Sequence, residues 1–255
     1  MNQKSVKNLL ESRLELYYND AFIAEDPLQI PHRYSQKEDV EIAALLTATI
    51  AWGQRKTIIK NAKTMMSLME DAPYDFIMNH QKRDLMAMEN FVHRTFNTAD
   101  LKFFIAGLNH IYINHGGLEA VFTTFNTEPF LHKSIHYFRQ CMFEVDHQKR
   151  SEKHISDPLN KSAAKRLHMF LRWMVRRCDR GVDFGLWTKL KPRQLSCPLD
   201  VHTGNVARRL GLINRKGNDI LALYELDSAL RNFDKNDPVK YDFALFGLGV
   251  NENFQ

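Results

Sequence analysis

The chain has 255 residues, 44% hydrophobic and 25% charged, with 35 Lys and Arg against 30 Asp and Glu and a formal net charge of +5. That describes a globular protein of one large domain or two intimate ones, able to bury a substantial core. Cys141, Cys178 and Cys197 are widely spaced and no pair is C-x-x-C, which excludes a disulfide framework, a zinc ribbon and an iron–sulfur cluster, while residues 1–10 lack the apolar run of a signal peptide or membrane span. The expected setting is the cytoplasm, with reduced thiols.

The periodicity is helical almost throughout. Leu9, Leu10, Leu14, Leu16 and Tyr17 mark a first amphipathic helix. Ser35-x-x-Glu38 reads as a capping box, and Val40, Ile42, Ala43, Leu45, Leu46, Ala48 and Ile50 then form a helix apolar on most faces, which belongs at the centre of a bundle. Gly53 interrupts it, and a helix over 55–69 and a short one over 73–79 follow. The segment 101–114 is helical and ends at His115-Gly116-Gly117, with further helices over 118–125 and 129–143. Residues 144–160 are polar and form the best linker candidate. Helices then run over 161–177, 201–210, 219–231 and 238–248. No strand-like alternation, repeat or low-complexity tract occurs, so the class is all-α.

Residues 197–212, C-P-L-D-V-H-T-G-N-V-A-R-R-L-G-L, carry the densest signal. Asp200 stands where a carboxylate caps a helix and sits in the positive end of its dipole. The surrounding window 161–216 holds fourteen Lys and Arg and three acids, a net +11 in a chain of +5, interleaved with Phe170, Trp173, Phe184 and Trp187. Such asymmetry is the footprint of a polyanion-binding face, and the aromatic interleaving points to nucleic acid rather than to a merely solvated surface. Arg172, Arg176 and Arg177 recur at helical spacing and suit phosphate contact, as do Arg166, His202 and Arg208. Asp200-x-His202 has too few companions for a metal site, and no metal or other cofactor is indicated. Trp52 is a candidate stacking face for a base, Gln54 stands beside it, and Phe91-x-His93-Arg94 places His93 as a candidate substrate contact.

An all-helical chain with L-D-V-H-x-x-x-V-A-R-R-L-G-L resembles the helix-hairpin-helix-GPD superfamily of DNA glycosylases, whose endonuclease III-type members carry V-D-T-H-x-x-R-V-x-x-R-L. Residues 39–62, D-V-E-I-A-A-L-L-T-A-T-I-A-W-G-Q-R-K-T-I-I-K-N-A, look like the superfamily's early helix pair, and 237–249, D-P-V-K-Y-D-F-A-L-F-G-L-G, like its late helix. K-R-L-x-x-F-L-R-W-M-V-R together with C-P-L-D-x-H is similar to a bacterial family of unknown function within this fold.

The resemblance implies two intimately packed helical subdomains with a glycosylase-like cleft, one domain over 1–255 with a central bundle over 30–145 and a basic helix–insert–helix region over 161–216. It implies that Asp200 is the catalytic carboxylate and that Gln54 lies near a pocket-lining glutamine. Bifunctional members also place a lysine in a Gly-rich hairpin, L-P-G-V-G-x-K-T-A, ahead of the Asp. That hairpin is missing here, and the family's spacing falls on Val182. Ser162-Ala163-Ala164-Lys165-Arg166 looks like its tail, making Lys165 the counterpart ahead of a longer insert, with Lys189 and Lys191 as competitors. The expected function is base-excision repair on double-stranded DNA with a damaged purine such as 8-oxoguanine, with or without AP-lyase activity. A non-catalytic nucleic-acid binder retaining the fold is the alternative, and a protein-interaction module with an incidental basic surface is a third. No membrane and no protein partner is indicated.

Overall fold

In the computed structural model the chain is mostly helical, and the structure describes residues 2–177 and 180–254. The elements are α1 (Gln3–Tyr17), α2 (Ala21–Glu25), α3 (Lys37–Thr49), α4 (Arg55–Leu68), α5 (Pro73–Asn79), α6 (Lys82–Met86), β1 (Val92–His93), β2 (Phe96–Asn97), α7 (Thr98–Asn114), α8 (Leu118–Thr123), α9 (His132–Met142), α10 (Lys165–Val175), α11 (Val201–Arg209), α12 (Ile220–Phe233) and α13 (Tyr241–Asn251). The strands make one two-residue antiparallel hairpin, Val92 opposite Asn97 and His93 opposite Phe96. Two compact units result. The first comprises Met1–Phe22, Asn126–Lys133 and Asp157–Gln255, and the second Ile23–Phe125 and Ser134–Ser156. The expected region 161–216 lies within the first. The expected bundle 30–145 lies in the second except for 126–133.

The second unit is organised on α3, whose residues from Val40 to Thr49 are all buried, as a helix apolar on most faces requires. Its start departs from expectation. The N-cap is Gln36 without a side-chain cap, so the Ser35–Glu38 capping box does not form. A capping box does form at α7, where the Asn97 side chain accepts from Ala99 and Asp100 amides and Asp100 accepts in return from the Asn97 amide. Asp100 is fully buried and also receives the Arg150 guanidinium at 2.8 Å and the Ser151 hydroxyl at 2.6 Å. Burying a carboxylate demands such partners, and here they come from the polar stretch after α9. Residues 144–160 are therefore not a free linker. They carry the 3-10 turns Lys149–His154 and Pro158–Asn160, with Ser151 and His154 buried.

The first unit is organised on α13, buried nearly throughout from Tyr241 to Gly249. Gly247 lets α1 come close, since a Cβ there would lie 2.1 Å from the Tyr17 ring. Helix α10 buries Leu167, Phe170, Leu171, Trp173 and Met174. Phe170, Trp173 and the following Trp187 are essentially without exposure, so these three are core and offer no stacking face to a nucleic acid, while Phe184 is half-buried. Cys141 and Cys197 are buried free thiols, and Cys178 lies outside the described residues.

Candidate active site

Helix α10 starts at Lys165 after an unusual approach. Asp157 caps the 3-10 turn Pro158–Asn160, accepting from the Leu159 amide at 2.9 Å. Lys161 (φ 68°) and Ala164 (φ 41°) then adopt left-handed backbone conformations that cost a non-glycine residue free energy. The Ser162 hydroxyl, accepting from the Ala164 amide, and the Ile220 amide, donating to the Lys161 carbonyl, hold this bend. The stretch 157–165 that makes this turn contains no glycine.

Asp200 is the N-cap of α11, as its position before Val201 implied, and its Oδ1 accepts from the Thr203 amide at 2.9 Å. Its backbone carbonyl accepts from the Asn218 side chain at 2.8 Å, and Asn218 in turn accepts from Arg208. Gly204 makes this possible. A Cβ at that position would lie 2.6 Å from Asn218 Oδ1.

The two expected catalytic residues meet. Lys165 Nζ lies 3.8 Å from Asp200 Oδ2, with side chains 26% and 23% exposed, so the pair is accessible from solvent. The ammonium also touches Met169 Sδ at 3.6 Å. The competitors differ: Lys189 is exposed, and exposed Lys191 donates to the Thr188 carbonyl at 3.1 Å.

Behind the pair stands Asp242 of α13, which had no role in the sequence reading. It is buried, it pairs with Arg172 Nη1, and it accepts from the Cys197 thiol at 3.7 Å. Burial pushes its carboxyl up to about 6. Arg172 and Lys165 oppose the shift and the charge of Asp200 adds to it. The signal in the sequence was an isolated acid within a helix otherwise apolar.

The expected phosphate contacts divide. Arg172 and Arg176 are 4% and 5% exposed, and neither is free for DNA. Arg172 Nε bonds Asp183 at 3.3 Å, while Arg176 bonds Asp183 at 3.0 Å and Asp237 at 2.8 Å. Their helical spacing serves a buried charge network, because desolvated arginines need carboxylates at hand. Arg208 is committed to the loop before α12, donating to the carbonyls of Arg215 at 2.6 Å and Gly217 at 2.9 Å. Arg166 is half-buried, and burial pulls its guanidinium down to about 10, where it stays cationic at neutral pH. Arg177 and His202 are exposed.

Trp52, Gln54 and His93 belong to the second unit. Gln54 is exposed at the N-cap of α4 and Trp52 is half-buried. His93 is 1% exposed and both of its ring nitrogens are engaged, with the Trp52 carbonyl at 3.1 Å and the Asn61 side chain at 2.9 Å. His93 is therefore a buried support, packed edge-on to the Trp52 ring at 5.0 Å, and not a substrate contact. Its burial pulls the imidazole below its ordinary range and keeps it neutral.

With this geometry in view, the chain matches the model of DUF2400, a protein family of unknown function, over residues 26–251, and it belongs to that family. Comparison with curated proteins and with solved structures returns no match.

Proposed function

We propose that this protein is a DNA glycosylase acting on a damaged purine such as 8-oxoguanine in duplex DNA, with AP-lyase activity carried by Lys165. The observation that supports the reading is the accessible Lys165–Asp200 pair, one residue opening α10 and the other capping α11, brought to 3.8 Å across 35 residues of sequence. The same pairing is what the likeness to helix-hairpin-helix-GPD glycosylases implies. A base-binding cleft and a cytoplasmic setting belong to the same proposal. No helix among the described residues is long and apolar enough to cross a membrane.

In this reading the base first leaves the stack, at a cost of a few kcal/mol that is least for a damaged or mispaired base. The Lys165 amine, once neutral, attacks C1′. The C1′–base bond breaks and its electron pair leaves with the base. Asp200 Oδ2 sits beside the amine and stabilises the positive charge that builds on the sugar. The departing base takes one proton from the new C1′–Nζ ammonium, and the C1′–O4′ bond then opens with O4′ taking up a proton, leaving a protonated Schiff base between C1′ and Lys165 that permits strand cleavage by elimination. Arg172 and Asp242 touch neither sugar nor base in this scheme; they position α10 and α13 behind the pair.

Release of free base from duplexes carrying single lesions, detected by mass, tests the proposal. The wild type releases an oxidised purine, and Asp200→Asn and Lys165→Ala each lower the rate by at least about a hundredfold, the scale of losing a key electrostatic or nucleophilic group. No release from any lesion, with salt-dependent DNA binding intact in Asp200→Asn, would instead establish the non-catalytic binder.

A further inference from the structure

A second cluster of chemistry-bearing side chains lies in the second unit, at the C-terminal end of α7. His110 is in the last turns of that helix, His115 is its C-cap, and Glu144 follows the end of α9. Gly116 and Gly117, both at positive φ, turn the chain away and leave the two imidazoles side by side, their rings 5.3 Å apart. One carboxylate oxygen, Glu144 Oε2, lies 2.7 Å from His110 Nε2 and 2.9 Å from His115 Nε2. The three candidate ligand atoms all fall within 4.8 Å of one another.

The outer nitrogens of both rings are engaged as well. The Asn114 side-chain amide lies 3.0 Å from His110 Nδ1, and Cys141 Sγ lies 3.8 Å from His115 Nδ1. The Cys141 sulfur is placed to accept from the Nδ1–H of an Nε2-ligating His115 and so to orient it, whereas the Asn114 amide is a donor and turns aside once His110 Nδ1 carries the proton that Nε2 ligation requires. The end of α7 adds the negative pole of a helix dipole, which favours a cation.

We propose that His110, His115 and Glu144 form a binding site for a divalent transition metal of the zinc class. Two imidazoles and one carboxylate are its ordinary ligands and are poor ones for magnesium or calcium. Bonds of roughly 2.0–2.2 Å in tetrahedral geometry put ligand atoms about 3.3 Å apart, so the Glu144 contacts open by about half an ångström and the two imidazole nitrogens, within 4.8 Å of one another, settle to the same spacing to admit the ion. The Glu144 side chain is 47% exposed, which leaves a fourth position open to water. Cys141 faces the outer nitrogen of His115, so it supports a ligand and is not one. The metal ties the end of α7 to the chain leaving α9 and acts as a staple within the second unit. It shares no residue with the Lys165–Asp200 pair.

Titration of the metal-free full-length protein with Co2+, read by its visible absorption and competed by Zn2+, tests the site. One equivalent binds with the intensity of a four-coordinate ion, and no thiolate charge-transfer band develops. His110→Gln, His115→Gln and Glu144→Gln, near-isosteric changes on a partly exposed surface, each remove saturable binding. The zinc-dependent rise in thermal midpoint disappears in the three glutamine variants and persists in Lys165→Ala. Absence of saturable binding by the wild type, unchanged binding in the glutamine variants, or a thiolate band would each overturn the assignment.

Discussion

Asp200 divides its carboxylate between two tasks. Oδ1 caps α11 and Oδ2 faces Lys165. Asparagine caps helices as well as aspartate does, whereas alanine costs about 1 kcal/mol. Asp200→Asn is therefore expected to leave the urea midpoint nearly unchanged while removing activity, and Asp200→Ala to lose both. The arginines separate in the opposite way. Arg172→Ala leaves Asp183 and Asp242 buried without their shared cation and is expected to destabilise the fold by about 3–5 kcal/mol. Arg177→Ala, at an exposed position, is expected to change stability by less than about 0.5 kcal/mol and to lower the salt dependence of DNA binding by about one ion. Urea unfolding and binding isotherms at several salt concentrations check both. At this scale the sequence was informative about Asp200 and Lys165 because each opens a helix at a place the chain marks. It was silent about burial. Arg172 and Arg177 look alike in a basic run, yet they differ in whether an acid from far along the chain reaches them.

At the scale of elements, the helices were legible because hydrophobic periodicity is a local property. The predominantly apolar α3 and α13 became the centres of their units for the reason their composition indicated. Short pieces escaped: α2 and α6 are single turns, and the β1–β2 hairpin is too brief to show alternation. The polar stretch 144–160 holds the boundary between the two units, after Ser156, but its order was not legible, because its side chains satisfy a buried carboxylate, Asp100, 50 residues upstream of Arg150. The turn into α10 holds Lys161 and Ala164 in left-handed conformations, which no glycine pattern announces. The element-level contact closest to the Lys165–Asp200 pair is Gly204 against Asn218. Gly204→Ala is expected to displace Asn218 from the Asp200 carbonyl and to destabilise by about 1–3 kcal/mol, the range for an added methylene in a packed place. Asn218→Ala should lose activity in the same direction without the steric cost, so a double-mutant cycle separates loss of the hydrogen bond from overpacking.

At the scale of the molecule, buried titratable groups of the first unit set opposing pH dependences. Burial holds the carboxyls of Asp227 and Asp242 up to about 6, so the folded chain binds more protons than the unfolded chain between about 4 and 6. Their stabilising contribution is complete below that window and is lost as the pH rises through about 6. Burial holds His132 down to about 4, and His168 also falls well below its ordinary range. Their contribution runs the other way and is lost as the pH falls below about 6.5. Asp242→Asn removes one carboxyl from this balance. The stability of the variant relative to wild type is expected to climb by up to about 3 kcal/mol between pH 4 and pH 7, measured by urea unfolding across that range. A flat or falling difference would remove Asp242 from the account. The basic excess over 161–216 was readable in the sequence, but which of its cations face solvent was not, because Arg172 and Arg176 are spent on buried Asp242 and half-buried Asp237, which lie outside the window.

The central claim is that Lys165 bonds to the sugar with Asp200 beside it. Borohydride reduction of the protein mixed with duplexes carrying 8-oxoguanine or an abasic site, followed by peptide mapping of the adduct, tests this most directly. A covalent adduct on Lys165 is expected, lost in Lys165→Ala and retained in Lys189→Ala and Lys191→Ala. An adduct mapped to another lysine, or one that survives Lys165→Ala, would contradict it.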